Sequence, residues 1–291
     1  MYKAIANNKR NTVLIMAVFV ALISAIGYVV SLYFNNTSVV FWVIGGAALY
    51  AIIQYFAASK LAVAMSGAQE IQKKDNPRLF RIVENLSITL GIPTPKVYLI
   101  DDPAPNAFAT GRDPKHAIVA ATTGILEIMD DRELEAVMAH EMGHVQNYDI
   151  RVSMIAFGLV SAIGILADVV LRMFFFGNRR DSNINPIVIA LGLVVVILAP
   201  IIAAIVQLAI SRQREYLADA TSVVTTHDSE GMVAALRKLE TYGRPMTKQN
   251  TSAAHMFLND PLKPGILSRL FSTHPPLAER IKRLQSNATH F

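Results

Sequence analysis

Four long apolar runs divide the chain, separated by stretches with polar patterning. Residues 12–34 hold no charged side chain, and 39–58 form a second uncharged run of similar length. Each is about long enough to cross a bilayer core, which takes roughly 20 helical residues. The first run exceeds the apolar part of a cleaved signal, about 7–15 residues, and no small-residue cleavage signal precedes the second. An N-terminal transmembrane hairpin over 1–58 is therefore predicted. A second apolar hairpin is predicted over 153–208. Its first arm, 153–176, carries Asp168 and Arg172, whose i,i+4 spacing lets them pair or face the protein interior. Its second arm, 186–208, is uncharged.

What remains falls into two blocks, 59–152 and 209–291. In the first, Pro77–Leu90 reads as a helix with proline in its first turn. Lys96–Ile100 and 117–121 read as short strands, with 106–110 a third between them. A helix follows over 131–147. In the second block, Ser229–Tyr242 and 275–285 read as helices. The expected fold is a mainly α membrane protein with a small β-sheet. Four apolar helices would accompany a cytoplasmic, zincin-like catalytic domain built from the two blocks, 59–152 and 209–291.

Composition agrees with a membrane protein: 53% of residues are hydrophobic, 17% are charged, and mean hydropathy is +0.37. Globular chains average about 25% charged residues. The net charge of +5 includes no basic run interleaved with aromatics, so nucleic acid is not an expected partner. Anionic lipid beside a basic face is. Lys3, Lys9 and Arg10 precede the first run and Lys60, Lys73 and Lys74 follow the second, while the short loop between the runs is uncharged. The N-terminus and the block after residue 58 are thus expected in the cytoplasm. Arg179 and Arg180, between the later runs, would then face outward, against the rule. With no cysteine, metal ligands must come from His, Asp and Glu.

The helix over 131–147 contains His140-Glu141-Met142-Gly143-His144, an instance of H-E-x-x-H. Residues four apart stack on one helical face, so both imidazoles can reach one ion. Glu141 then stands close enough to act as general base toward a water that zinc acidifies to a pKa of about 7. A catalytic zinc takes three protein ligands. The third is sought just after the last apolar run, where Glu215 and Asp219 stand four apart. Glu215 is preferred as ligand. Asp219 is the alternative, or a carboxylate that orients a ligating histidine. A hairpin that crosses twice returns its ends to one face, where the two sets of ligands can meet.

HEMGH, then SRQREYLADA after a late apolar run, then Ser272-Thr273-His274-Pro275-Pro276, together resemble the HtpX heat-shock membrane proteases. These are gluzincin metallopeptidases related to the CAAX prenyl proteases. The likeness covers nearly the whole chain, including Asn106-Ala107-Phe108-Ala109-Thr110-Gly111. It implies an ATP-independent zinc endopeptidase of the bacterial cytoplasmic membrane, acting in stress and quality control on misfolded or surplus membrane proteins. No nucleotide is implied. One Zn2+ would be held by His140, His144 and Glu215, with Glu141 as base. Asn106, Ala107, Phe108 and Ala109 would lie on the edge strand that pairs with an extended substrate. His274, stiffened by the prolines after it, would donate a hydrogen bond to the oxyanion.

Two rival readings differ in testable ways. An intramembrane protease of the site-2 class carries its H-E-x-x-H inside an apolar span, whereas this one lies in charge-dense sequence. A catalytically inactive scaffold would hold structural zinc, which is usually closed by four ligands and rich in cysteine. His116, His227, His255 and His290 stand alone, without ligand spacing. Asp149, just after the HEMGH helix, either orients a ligand or is a surface residue at the helix end.

Overall fold

The computed structural model describes residues 2–34, 36–176, 212–249, 253–262 and 275–287. Helices α1 (Tyr2–Phe34) and α2 (Ser38–Ser66) come first and pack on each other across a short turn. Both outrun their apolar cores: α1 starts well before residue 12, and α2 continues past 58. Extending a formed helix costs little, and its polar ends find protein rather than lipid to pack on. Within α1, Lys3–Ala25 is long and apolar enough to cross a membrane, as is all of α2. Phe41, Trp42, Leu49, Ile52 and Ile53 of α2 are exposed, an apolar face that the described residues leave largely uncovered.

The first polar block builds a four-stranded sheet. β1 (Gln69–Glu70) is followed by α3 (Pro77–Leu90), then β2 (Lys96–Ile100), β3 (Ala107–Gly111) and β4 (Ala117–Thr122). The spatial order is β1-β2-β4-β3, with β2 parallel to β4 and the other pairs antiparallel. β3 is therefore an edge strand. The Asn76 side chain caps α3 by accepting from the Leu79 amide, Pro77 opens it, and Gly91 closes it in the left-handed conformation. The short helix α4 (Thr123–Ile128) leads into α5 (Asp131–Gln146). α6 (Asp149–Phe176) covers the apolar run 153–176. The expected second arm, 186–208, and the loop carrying Arg179 and Arg180 lie outside the described residues. The last block supplies α7 (Arg212–Thr226), α8 (Ser229–Tyr242) and α9 (Leu277–Asn287).

The sheet separates two apolar cores. On one face Val97, Ala107, Ala109, Val119 and Ala121 join α3, α5, α8 and α9. On the other, Ile100, Phe108 and Ala120 meet Ile15 and Phe19 of α1, Ala58 and Ala62 of α2, and Val152–Phe157 of α6. Alternation along β3 sends Ala107 and Ala109 one way and Phe108 the other. Both faces are covered, so every residue of β3 and β4 is buried. The apolar helices thus press directly against the sheet that flanks α5.

Candidate metal centre

α5 opens with a capping box. The Asp130 carboxylate accepts from the Glu133 amide, and the Glu133 carboxylate accepts from the Asp130 amide, each at 2.9 Å. Lys238 of α8 also donates to Glu133, at 2.6 Å. The helix then carries His140, Glu141 and His144 into the interior, where His140 and Glu141 are buried. The two Nε2 atoms face one another at 3.2 Å.

α7 crosses α5 closely at Gly143. A Cβ there would meet Thr221 Cβ and Cγ2 at 3.2 Å. The Ser222 hydroxyl locks the crossing by donating to the Ala136 carbonyl at 2.6 Å. Glu215, one turn into α7, then lies with Oε2 3.6 Å from His140 Nε2 and Oε1 3.6 Å from His144 Nε2. One ligand atom from each of these three residues lies within 4.8 Å of the others. Asp219 faces elsewhere, with its Oδ1 2.9 Å from His140 Nδ1.

A carboxylate also backs the second imidazole: Asp149 Oδ2 is 3.1 Å from His144 Nδ1. The turn between α5 and α6 makes this possible. Tyr148 adopts a left-handed conformation (φ 62°), which is uncommon for a side chain of its size. The chain turns there, and the side chain of Asp149, the first residue of α6, reaches back to His144 on the helix just completed. Asp149 is buried beside His144 and does not lie at the surface.

Carboxylates at both Nδ1 atoms make these nitrogens the donors and leave the Nε2 lone pairs converging. Two nitrogens on a tetrahedral zinc at about 2.0–2.1 Å stand about 3.3 Å apart. The observed Nε2 separation fits that ion, and two imidazoles with a carboxylate form a zinc donor set. Electrostatics agree. Burial lowers the His144 pKa, but its hydrogen bond to the Asp149 carboxylate and the charges of Glu215, Asp149 and Glu141 outweigh this, lifting it to about 9. His140 is also raised: burial and Arg280 lower it, while Asp219 and Glu215 more than compensate. The cluster favours positive charge between the two rings, whether a proton or a metal ion supplies it.

Sequence reading missed Arg280. It stands on α9, fully buried, and donates to Asp219 through Nε at 3.0 Å and Nη2 at 2.6 Å. Burial raises the Asp219 pKa, but Arg280 and His140 together pull it down to about 2. A signal existed: Arg280 shares the apolar stripe of Leu277, Ile281 and Leu284, an odd place for a cation unless it has a buried partner. His274 lies outside the described residues. His116 bonds its neighbour Asp113, and His227 ends α7 in a left-handed turn.

The chain itself occupies part of β3's outer edge. Phe257 forms an antiparallel bridge with Phe108, their ring centroids 5.0 Å apart. The Leu258 amide donates to the Ala107 carbonyl at 2.9 Å. The Asn106 side chain completes the pairing, donating to the Asn259 carbonyl at 2.8 Å and accepting from its amide at 3.0 Å.

Residues 73–288 match the family described as Peptidase family M48. The Protease HtpX homolog of Tropheryma whipplei (strain TW08/27) is 54% identical, with 100% of both chains covered. That of Lactobacillus acidophilus (strain ATCC 700396 / NCK56 / N2 / NCFM) is 43% identical over 98% of this chain and 99% of its own. Among solved structures, S. mikatae Ste24p matches with a TM-score of 0.53 and 20% identity, over 98% of this chain and 67% of that one. At that identity the likeness is one of fold.

Proposed function

The chain belongs to peptidase family M48 and is a metalloprotease, a hydrolase acting on peptide bonds; we propose that its metal is zinc and its substrates are misfolded or surplus membrane proteins. The observation that carries this reading is the pair of Nε2 atoms 3.2 Å apart, each ring backed by a carboxylate, with Glu215 alongside. His140, His144 and Glu215 would hold one Zn2+ per subunit. When bound, zinc acidifies a water and polarises the scissile carbonyl.

Glu141 is the proposed general base. Its carboxylate takes the proton as the water oxygen attacks the carbonyl carbon, then passes it to the departing amine nitrogen. His274 would donate a hydrogen bond to the oxygen on which negative charge develops. An extended substrate would add to the outer edge of β3 over Asn106, Ala107, Phe108 and Ala109, so that main-chain pairing gives affinity with little demand on sequence. To use the Asn106 end it must take the place of Phe257–Asn259.

The cytoplasmic membrane is the proposed location, with the N-terminus and the active site in the cytoplasm. Two helices of sufficient length, their exposed apolar faces and the flanking lysines and arginines support it. Contact between Asn8, near the start of α1, and Asp149 beside the metal centre is what one shared side predicts. We propose the domain division 1–58, 59–152, 153–208 and 209–291 on the same grounds, with the second and fourth segments joined in the catalytic unit.

The test is Glu141→Gln in detergent-purified protein, with zinc content and cleavage of casein or an unfolded membrane protein read on the same sample. Proteolysis should fall by at least about 10²–10⁴-fold. About one zinc should remain. A chelator should silence the wild-type protein. Near-normal turnover by the variant would remove Glu141 from the mechanism, and activity indifferent to chelation would remove the metal.

A further inference from the structure

We propose that Asn8, on the first helix, is a positioning residue for His144, acting through Asp149. The proposal rests on the zinc reading above and extends the active site's support into the N-terminal hairpin. Asn8 is buried, although it lies in the polar start of α1. Its Nδ2 donates to Asp149 Oδ1 at 2.7 Å and to the Asn147 carbonyl at 2.9 Å. Both partners are acceptors, so only the NH2 end of the amide can serve them, and its two hydrogens are both used. The assignment of that amide follows from its partners.

These bonds meet the turn on which the metal centre depends. Asp149 offers Oδ1 to Asn8, with Arg214 Nε 3.5 Å away, and Oδ2 to His144 Nδ1. With one oxygen held on each side, the carboxylate has little freedom to rotate away from the imidazole. The Asn147 carbonyl belongs to the residue that ends α5, and the left-handed Tyr148 stands between the two points that Asn8 grips. Lys9 covers the Tyr148 ring, its Nζ 4.7 Å from the centroid, and Arg151 stacks on the same ring at 4.9 Å. Asn8 and Lys9 therefore clamp the whole Asn147-Tyr148-Asp149 turn. An anchor that only held the protein in lipid would have no use for a buried amide at this place. The relay runs from α1 to Asp149 to His144, and it ties the seating of the first helix to the orientation of a metal ligand.

The experiment measures zinc affinity, by chelator competition on the full chain in detergent, for wild type, Asn8→Ala, Asp149→Ala and the double variant. Removing a carboxylate that orients a ligating histidine costs about 10–100-fold in affinity, and removing the group behind it is expected to cost about 3–10-fold. Because Asn8 acts through Asp149, its substitution should cost nothing further once Asp149 is gone. Turnover of the loaded protein should fall in kcat with KM little changed. Asn8→Gln, which keeps both donors but displaces them by one methylene, should lose less than Asn8→Ala. It also serves as the folded comparison should the alanine variant be lost. Unchanged zinc affinity in Asn8→Ala, or an equal loss with and without Asp149, would overturn the relay. A wild-type protein that binds no zinc would instead overturn the proposed function.

Discussion

Arg280 holds Asp219 by both carboxylate oxygens, at 2.6 and 3.0 Å, and so fixes the group that fixes His140. Its Nη2 also lies 3.4 Å from His140 Nδ1. The guanidinium and the carboxylate are buried together behind the metal centre, where a planar two-pronged donor has a clear geometric advantage. One bonded unit thereby joins α5, α7 and α9.

Arg280→Met should destabilise the protein by about 3–5 kcal/mol, because Asp219 is left charged and buried without its partner. Thermal unfolding of the metal-free protein in detergent measures this. Adding Asp219→Asn should recover part of the loss. The sign with pH follows from the pull on Asp219, whose folded pKa of about 2 lies below its ordinary 3.8. The stabilisation is present above the ordinary value and is lost as pH falls toward the folded one. An Arg280→Met protein as stable as wild type would mean that water, and not the arginine, satisfies Asp219.

Glu215→Ala should abolish zinc retention, whereas Asp219→Ala should weaken it by about 10–100-fold. The geometry gives the ranking: Glu215 reaches both Nε2 atoms, and Asp219 reaches only the far side of His140. Metal analysis after dialysis decides it, and the opposite order would make Asp219 the third ligand.

Asn259→Pro deletes the amide that donates to Asn106 Oδ1 and leaves the strand itself intact. If Phe257–Asn259 yields to substrate, weakening its hold by one hydrogen bond should raise kcat/KM on an unfolded protein by about 2–10-fold. Unchanged or lower values would make the segment a permanent part of the sheet, with substrate pairing elsewhere along β3.

His274→Phe should slow turnover by about 10²-fold while zinc content and folding are kept, as expected for loss of one donor at the oxyanion. Loss of zinc together with the imidazole would make His274 a ligand. Unaltered activity would reduce the THPP stretch to a helix start.

For topology, the absence of native cysteine allows single reporters. A cysteine at Thr37 should react with an impermeant thiol reagent added to intact cells, and one at Lys73 should not. Reaction of the Lys73 reporter under the same conditions would invert the proposed orientation.

Much of this protein is legible in local patterning. An i,i+4 spacing stacks two imidazoles on one face of any helix, so HEMGH is a half-built metal site before any tertiary contact forms. Acids at 130 and 133 start that helix, and Asn76-Pro77 starts another, because free amides at helix ends need acceptors within a few residues. The first three apolar runs announce their helices in the same way. Their ends are the exception, since α1 keeps winding through polar residues that pack on protein.

What no local rule contains is which distant side chain arrives. Glu215 and Asp219 share a helical face by spacing, and only the close crossing at Gly143 turns one toward Nε2 and the other toward Nδ1. Asn8 and Arg280 reach the site from 141 and 140 residues away along the chain, and Phe257–Asn259 reaches the edge of β3 from about 150. Each is tied in place by buried or half-buried hydrogen bonds. Such bonds exist only after the sheet has been packed between its two apolar cores, because burying a polar group is costly until its partner is already in place. The sequence by itself determined the chemistry on offer and the faces that carry it. Packing over long chain separations decided which groups meet, and therefore which carboxylates, amide and guanidinium surround the two imidazoles.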